Sequence, residues 1–177
     1  MFIRSKAFSS RCDVSEIIEA TTPEQLEQVR SLFREYQAEL PFEYCFRYFD
    51  TELSGLPGAY APPKGKLLLA MVAGQPVGCA GLRPFPLEGA GEMKRLYLRP
   101  AFRGAKLGQA LAERIVTEAR ALGYSRLRLD THPPSMQAAV RMYQEMGFRE
   151  VVPEVSNRVE GLVYMEMALR TPQAMDQ

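Results

Sequence analysis

The stretch that most constrains this chain is residues 92–108, E-M-K-R-L-Y-L-R-P-A-F-R-G-A-K-L-G. Residues 92–98 read as a strand of large side chains, and Arg99-Pro100 ends it, since proline has no N–H to give a central ladder. Arg103, Gly104, Ala105, Lys106, Leu107 and Gly108 then open onto a long amphipathic segment. A strand, a short basic loop with glycines and a helix start together make an anion site. Unpaired backbone N–H groups and the positive end of the helix dipole face whatever sits there. The implied ligand is a phosphate or pyrophosphate. Two nucleotide-binding patterns fail on spacing. Lys106 is followed by Leu107 and Gly108, so the Gly-Lys-Ser/Thr ending of a P-loop is missing, and G-x-G-x-x-G is absent.

The loop 103–108 resembles the R/Q-x-x-G-x-G/A loop of the GNAT superfamily of N-acetyltransferases, which cradles the pyrophosphate of acetyl-coenzyme A. One position departs: Lys106 stands where that pattern has its first glycine. A second segment, residues 139–148, A-V-R-M-Y-Q-E-M-G-F, is similar to the family's A-x-x-x-Y-x-x-x-G-F helix ending, whose tyrosine lies by the thioester sulfur. The resemblance covers roughly residues 17–169. It implies an α/β fold, a GNAT-type mixed sheet that is largely antiparallel with a splayed central parallel pair, flanked by helices. The splay is expected between residues 92–98 and 126–130.

Length and composition agree with one domain. The chain has 177 residues and 46% apolar content, enough for a sizeable core. We expect an N-terminal extension over 1–16, a single catalytic domain over 17–170 and a tail over 171–177. Basic and acidic residues number 22 and 21, so bulk charge does not suggest a nucleic-acid partner. Cys12, Cys45 and Cys79 are widely spaced and make no metal-ligand pattern, so no metal is expected and the thiols read as reduced. No apolar run approaches the roughly 20 residues that span a bilayer, so no membrane partner is expected either. The basic, serine-containing first dozen residues are short for a transit peptide and read as a frayed terminus. The expected location is cytoplasmic, and a homodimer is left open.

Along the chain, residues 17–20 form a short strand candidate. Thr22, Pro23 and Gln25 read as a capping box, opening a helix with Leu26, Val29, Leu32, Phe33 and Tyr36 on one face, ending near Pro41. Residues 42–58 are dense in aromatics. They read as a second packed helix or, by the resemblance, as a wall of the acceptor pocket that includes Tyr44 and Phe46, with Glu43 or Asp50 to attract an amine. Residues 56–65 are a proline- and glycine-rich loop, and 66–72 with 76–82 a hairpin around Ala73-Gly74-Gln75. Leu107, Leu111, Ile115, Ala119 and Leu122 mark the face of the helix after the anion loop, with Gly123 as its stop. A strand at 126–130 follows, then His132 in a proline-bounded loop, a helix capped by Ser135 and ended by Gly147, and strands at 148–152 and 162–169.

The resemblance assigns roles. Arg103, Gly104, Ala105, Lys106, Leu107, Gly108 and Gln109 hold acetyl-CoA through backbone N–H groups and the helix dipole. Leu96, Tyr97 and Leu98 match a strand bulge whose freed backbone groups serve the thioester carbonyl and the pantetheine arm. Tyr143 matches the general acid for the departing thiolate. An alkylammonium near pKa 10.4 must lose a proton before it attacks, and Glu92 is the candidate base. His132, the only histidine, is a candidate acceptor-side contact or base. Met136 falls where many relatives place an asparagine, and a thioether cannot replace that donor–acceptor pair. Cys79 and Cys45 lack a neighbouring base and read as small buried hydrophobes. The expected activity is acetyl transfer to a primary amine of a small molecule by direct attack in a ternary complex. Alternatives are a protein lysine or N-terminus as acceptor, or a non-catalytic acyl-CoA-binding regulatory module.

Overall fold

The computed structural model describes residues 15–40, 48–153 and 159–169. Seven strands form one sheet in the order β1-β2-β3-β4-β5-β7-β6. They are β1 (Ser15–Glu19), β2 (Lys66–Val72), β3 (Gln75–Pro84), β4 (Ala90–Leu98), β5 (Arg126–Thr131), β6 (Arg149–Glu150) and β7 (Val163–Ala168). Every pairing is antiparallel except β4 with β5. The helices are α1 (Pro23–Glu39), α2 (Phe49–Ser54), α3 (Leu107–Ala121) and α4 (Gln137–Met146).

The run Leu67 to Met71 in β2 is apolar at every position because helices cover both faces of the sheet. Leu68 and Ala70 join the core with Leu111, Ile115 and Ala119 of α3. Leu67, Leu69 and Met71 point the other way, against Val29, Leu32 and Phe33 of α1 and Phe49 and Leu53 of α2. The capping box is present in full. Gln25 N–H donates to Thr22 Oγ1 at 3.2 Å, and Thr22 N–H donates to Gln25 Oε1 at 3.0 Å.

The sheet opens at its centre. β4 and β5 pair only over Ala90–Glu92 and Arg126–Arg128. Beyond that, β4 carries on beside β3 and β5 beside β7, leaving a V between them. The register of β4 on β3 shifts between Cys79↔Tyr97 and Gly81↔Lys94, so Arg95 and Leu96 both lie across from Ala80. Arg95 takes φ +57° to make this bulge. An extra residue reverses the alternation of side chains beyond it.

Two expectations need correction. Ser135 does not cap α4: the N-cap is Met136, with no side-chain cap bond, and Ser135 Oγ instead lies 2.9 Å from His132 Nδ1. The strand expected at 148–152 shrinks to Arg149–Glu150, because Phe148 is drawn fully into the core against the Tyr143 ring.

Candidate active site

The loop expected to bind an anion takes left-handed backbone at two positions, one of them the position that departs from glycine. Gly104 sits at φ +86° and Lys106 at φ +60°. Lys106 is the N-cap of α3, and no side chain caps that helix. The first N–H groups of α3 are therefore left for a ligand. Apart from its own chain neighbours and helix backbone, a Cβ built on Gly108 would meet nothing within 4 Å, so the backbone lies open to close approach. Arg103 turns away from this cradle. Its Nε donates to Leu98 O at 2.8 Å, its terminal group pairs with Glu39 of α1, and its guanidinium lies 5.8 Å from the Tyr97 ring centroid. The loop thus offers backbone, with Arg103 bracing it against α1 and β4.

A channel of about 340 Å³ runs from this loop into the V, lined by Leu96, Tyr97, Leu98, Arg103 and Gly108 together with Tyr36, Met136, Ala139 and Met142. Tyr36, Leu96, Met136 and Ala139 also line a tighter cavity at the throat of the V, whose walls include Lys94, Arg95, Asp130, His132 and Tyr143. The two spaces share walls along one path. Donor-side residues proposed from the motif are therefore brought together with Tyr143. The shape fits a long, thin group with an anionic head at α3 and a reactive end in the throat. Met136 sits on the path, and its sulfur accepts from Thr131 Oγ1 at 3.6 Å rather than replacing an amide.

Tyr143 packs its ring edge-to-face on Phe148 at 5.7 Å. Among the described residues its hydroxyl has no hydrogen-bond partner, and it lines the throat. Burial, and then the nearby charge of Asp130, raise its pKa above the ordinary tyrosine range. The phenol stays protonated at neutral pH, as a proton donor must be.

Glu92 lies at the closed end of the V, buried, with Arg83 Nε donating to its carboxylate at 2.7 Å and the Lys94 ammonium 3.8 Å away as an ion pair. It lines a different cavity, of about 300 Å³, toward Phe85, Tyr164 and Met165. Lys94 connects the two regions. It pairs with Asp130 of β5 and lines the throat, the Glu92 cavity and a third space beside α2. Burial alone would weaken the charge on both Lys94 and Asp130. Their ion pair more than offsets it, so the lysine is held above its ordinary pKa and the carboxyl below.

The third space, about 530 Å³, is walled by Tyr48, Thr51, Glu52, residues 55–60, Arg83, Lys94 and Arg95. Tyr44, Phe46 and Glu43 lie outside the described residues, and Asp50 is exposed and absent from the cavity wall. The acidic group found here is Glu52. It takes two hydrogen bonds from Arg95 and one from Tyr60 at 2.6 Å. Burial opposes the Glu52 charge, and Arg95 overcomes it, holding the carboxyl below its usual range. The α2 segment thus both packs, through Phe49 and Leu53, and walls a cavity. Sequence reasoning missed Glu52, Arg83, Lys94, Arg95 and Asp130. The available signal was charged residues, Lys94-Arg95, inside a strand whose neighbours demand burial. Cys79 is free, fully buried and pushed up by burial, an inert thiol.

The fold and sequence match known proteins. A family model described as Acetyltransferase (GNAT) family matches residues 26–148. An uncharacterized N-acetyltransferase of Schizosaccharomyces pombe is 37% identical over 148 residues, covering 83% of this chain and 90% of that one. An IAA acetyltransferase of Azospirillum brasilense is 37% identical over 93 residues, 52% of this chain and 60% of the relative. An amino-acid acetyltransferase of Escherichia coli is 36% identical over 75 residues, 42% of this chain and 16% of the relative. Among solved structures, a putative acetyltransferase of Salmonella typhimurium with its cofactor acetyl-CoA superimposes with TM-score 0.71 at 20% identity, covering 92% of this chain and 98% of that one. A GNAT-family acetyltransferase of Staphylococcus aureus does so with TM-score 0.73 at 18% identity, covering 89% of this chain and all of that one.

Proposed function

Because this chain belongs to the GNAT family of N-acetyltransferases, we propose that it moves an acetyl group from acetyl-CoA to the primary amine of a small molecule, by direct attack in a ternary complex. The observation that carries the reading is the Tyr143 hydroxyl, which lines the throat without a hydrogen-bond partner among the described residues, at the inner end of a channel that starts at an uncapped helix. A binding module needs no protonated phenol there.

Acetyl-CoA supplies an acyl thioester already activated toward amines. The N–H groups at the start of α3, with Ala105, Lys106, Leu107 and Gln109 around the open face of Gly108, hold its pyrophosphate. The bulge at Arg95 and Leu96 leaves backbone groups of β4 out of the β3 ladder, and its N–H groups are the candidates to face the thioester carbonyl. Preset donors facing a carbonyl oxygen as charge builds are worth a few kcal/mol each when water is excluded. Tyr143 gives its proton to the departing sulfur. Glu92 receives the amine's proton, relayed by water past Lys94, and His132 borders the acceptor.

A small acceptor is supported by the names of two relatives, an IAA acetyltransferase and an amino-acid acetyltransferase. It is also supported by walled cavities beside the throat, each within the size range of small-molecule sites. The test is release of free CoA from acetyl-CoA across a panel of amines and lysine peptides. Turnover on small amines is expected. Turnover confined to peptides would overturn the acceptor, and turnover on none would overturn the activity.

A further inference from the structure

Six charged side chains crowd the closed end of the V: Arg83, Lys94 and Arg95 against Glu52, Glu92 and Asp130. Their partners account for nearly every charge. Glu52 is taken up by Arg95 and Tyr60, and Asp130 by Lys94. Glu92 accepts from Arg83 through Nε alone. Among the described residues, that is the only hydrogen bond of the Arg83 guanidinium, so both terminal nitrogens keep their donors. The side chain is 32% exposed, and what it is exposed to is the cavity of about 530 Å³ beside α2. Three cations and one already occupied carboxylate line that cavity.

Resting on the acetyltransferase reading above, we infer that Arg83 is the carboxylate-binding residue for an acceptor that carries both an amine and a carboxylate. A guanidinium edge presents two parallel N–H groups at the spacing of carboxylate oxygens. Glu52 and Glu92 flank it and disfavour a dianion, so a phosphate monoester is the poorer fit and a carboxylate the better. Lys94 lines both this cavity and the throat, so a ligand held at Arg83 extends past Lys94 and places its amine toward Tyr143. The acceptor class is amino acids and related amino carboxylates.

The experiment pairs L-amino acids with their α-amides, which keep the amine and side chain but lose the anion. For the wild-type protein, kcat/KM for the best acid is expected to exceed that for its amide at least roughly tenfold. In Arg83→Gln that ratio falls toward one, mainly through KM of the acid, and Arg83→Lys retains part of it. An amide as good as the acid in the wild type overturns the inference. So does an Arg83→Gln defect equal for acid and amide, which would make Arg83 a support for Glu92. If Arg83→Gln does not fold, the wild-type ratio and Arg83→Lys decide. Calorimetry of acid and amide on the CoA-loaded protein separates the two readings. Acid binding that depends on Arg83 without turnover would sink the acetyltransferase reading alone, whereas turnover without acid preference would sink this one alone.

Discussion

At the α3 end of the opened sheet the protein offers backbone, whereas beside α2 it offers side chains. The α3 end is a loop with positive φ at Gly104 and Lys106, an uncapped helix and empty space over Gly108. Its arginines point elsewhere, Arg103 to Glu39 and Arg99 to Glu35. The α2 end is a knot of buried ion pairs in which Glu52, Arg83, Glu92, Lys94 and Arg95 come from three separate elements. A backbone site needs only a chain path, so it tolerates Lys106 in place of glycine as long as φ is kept. A side-chain site needs every partner in place, since a buried charge left alone costs several kcal/mol. On the proposed reading, the donor half of the reaction is built from conformation and the acceptor half from particular residues.

The largest effects should fall between these two ends, at the throat. Tyr143→Phe keeps the ring on Phe148 and removes only a hydroxyl that has no hydrogen-bond partner among the described residues. It should lower kcat by roughly 10²–10⁴-fold with the melting temperature and acetyl-CoA affinity nearly intact. Wild-type turnover in this variant would remove the general-acid role. Its companion, Glu92→Gln, disturbs the side-chain end through Arg83. As a base, its loss should be partly recovered as pH rises toward the amine pKa, about 10.4. A defect constant with pH would move Glu92 to a structural role.

The backbone end should break in binding rather than in folding. A Cβ at Gly108 meets nothing within 4 Å beyond its own neighbours and helix backbone, so Gly108→Val should fold with little steric penalty. Calorimetry should show acetyl-CoA affinity lowered about tenfold or more, about 1.4 kcal/mol, with thermal stability close to wild type. Unchanged affinity would place the pyrophosphate elsewhere.

The smallest effect sharpens the same contrast. Lys106 adopts a left-handed backbone that costs an ordinary residue roughly 1–2 kcal/mol and glycine almost nothing. Glycine's freer unfolded chain returns part of this, so Lys106→Gly should stabilise by up to about 1 kcal/mol, or roughly 2–4 °C in Tm. If the loop works through backbone, acetyl-CoA affinity changes only a few-fold. A large loss would show that the Lys106 ammonium itself binds phosphate.

Local signals decided much of this protein before any folding is considered. The Thr22–Gln25 box starts α1, Gly123 and Gly147 follow α3 and α4 at φ +81° and +104°, and the spacing from Arg103 to Gly108 carries the loop. Each is legible because the interaction closes within a few residues. The motif also pointed to Tyr143 and to a bulge in β4. Tertiary structure decided the rest. Ser135 looked like a cap, but His132 lies beside its hydroxyl in the folded loop. Glu52 gives no sign from its neighbours that it will meet Arg95, 43 positions away. That meeting depends on the bulge at Arg95, which brings Lys94 and Arg95 to the same cavity although adjacent strand residues ordinarily face opposite ways. Whether a charge in a central strand is a fault or a binding site depends on what stands across from it, and only the packing of α2 on the opened sheet determines that.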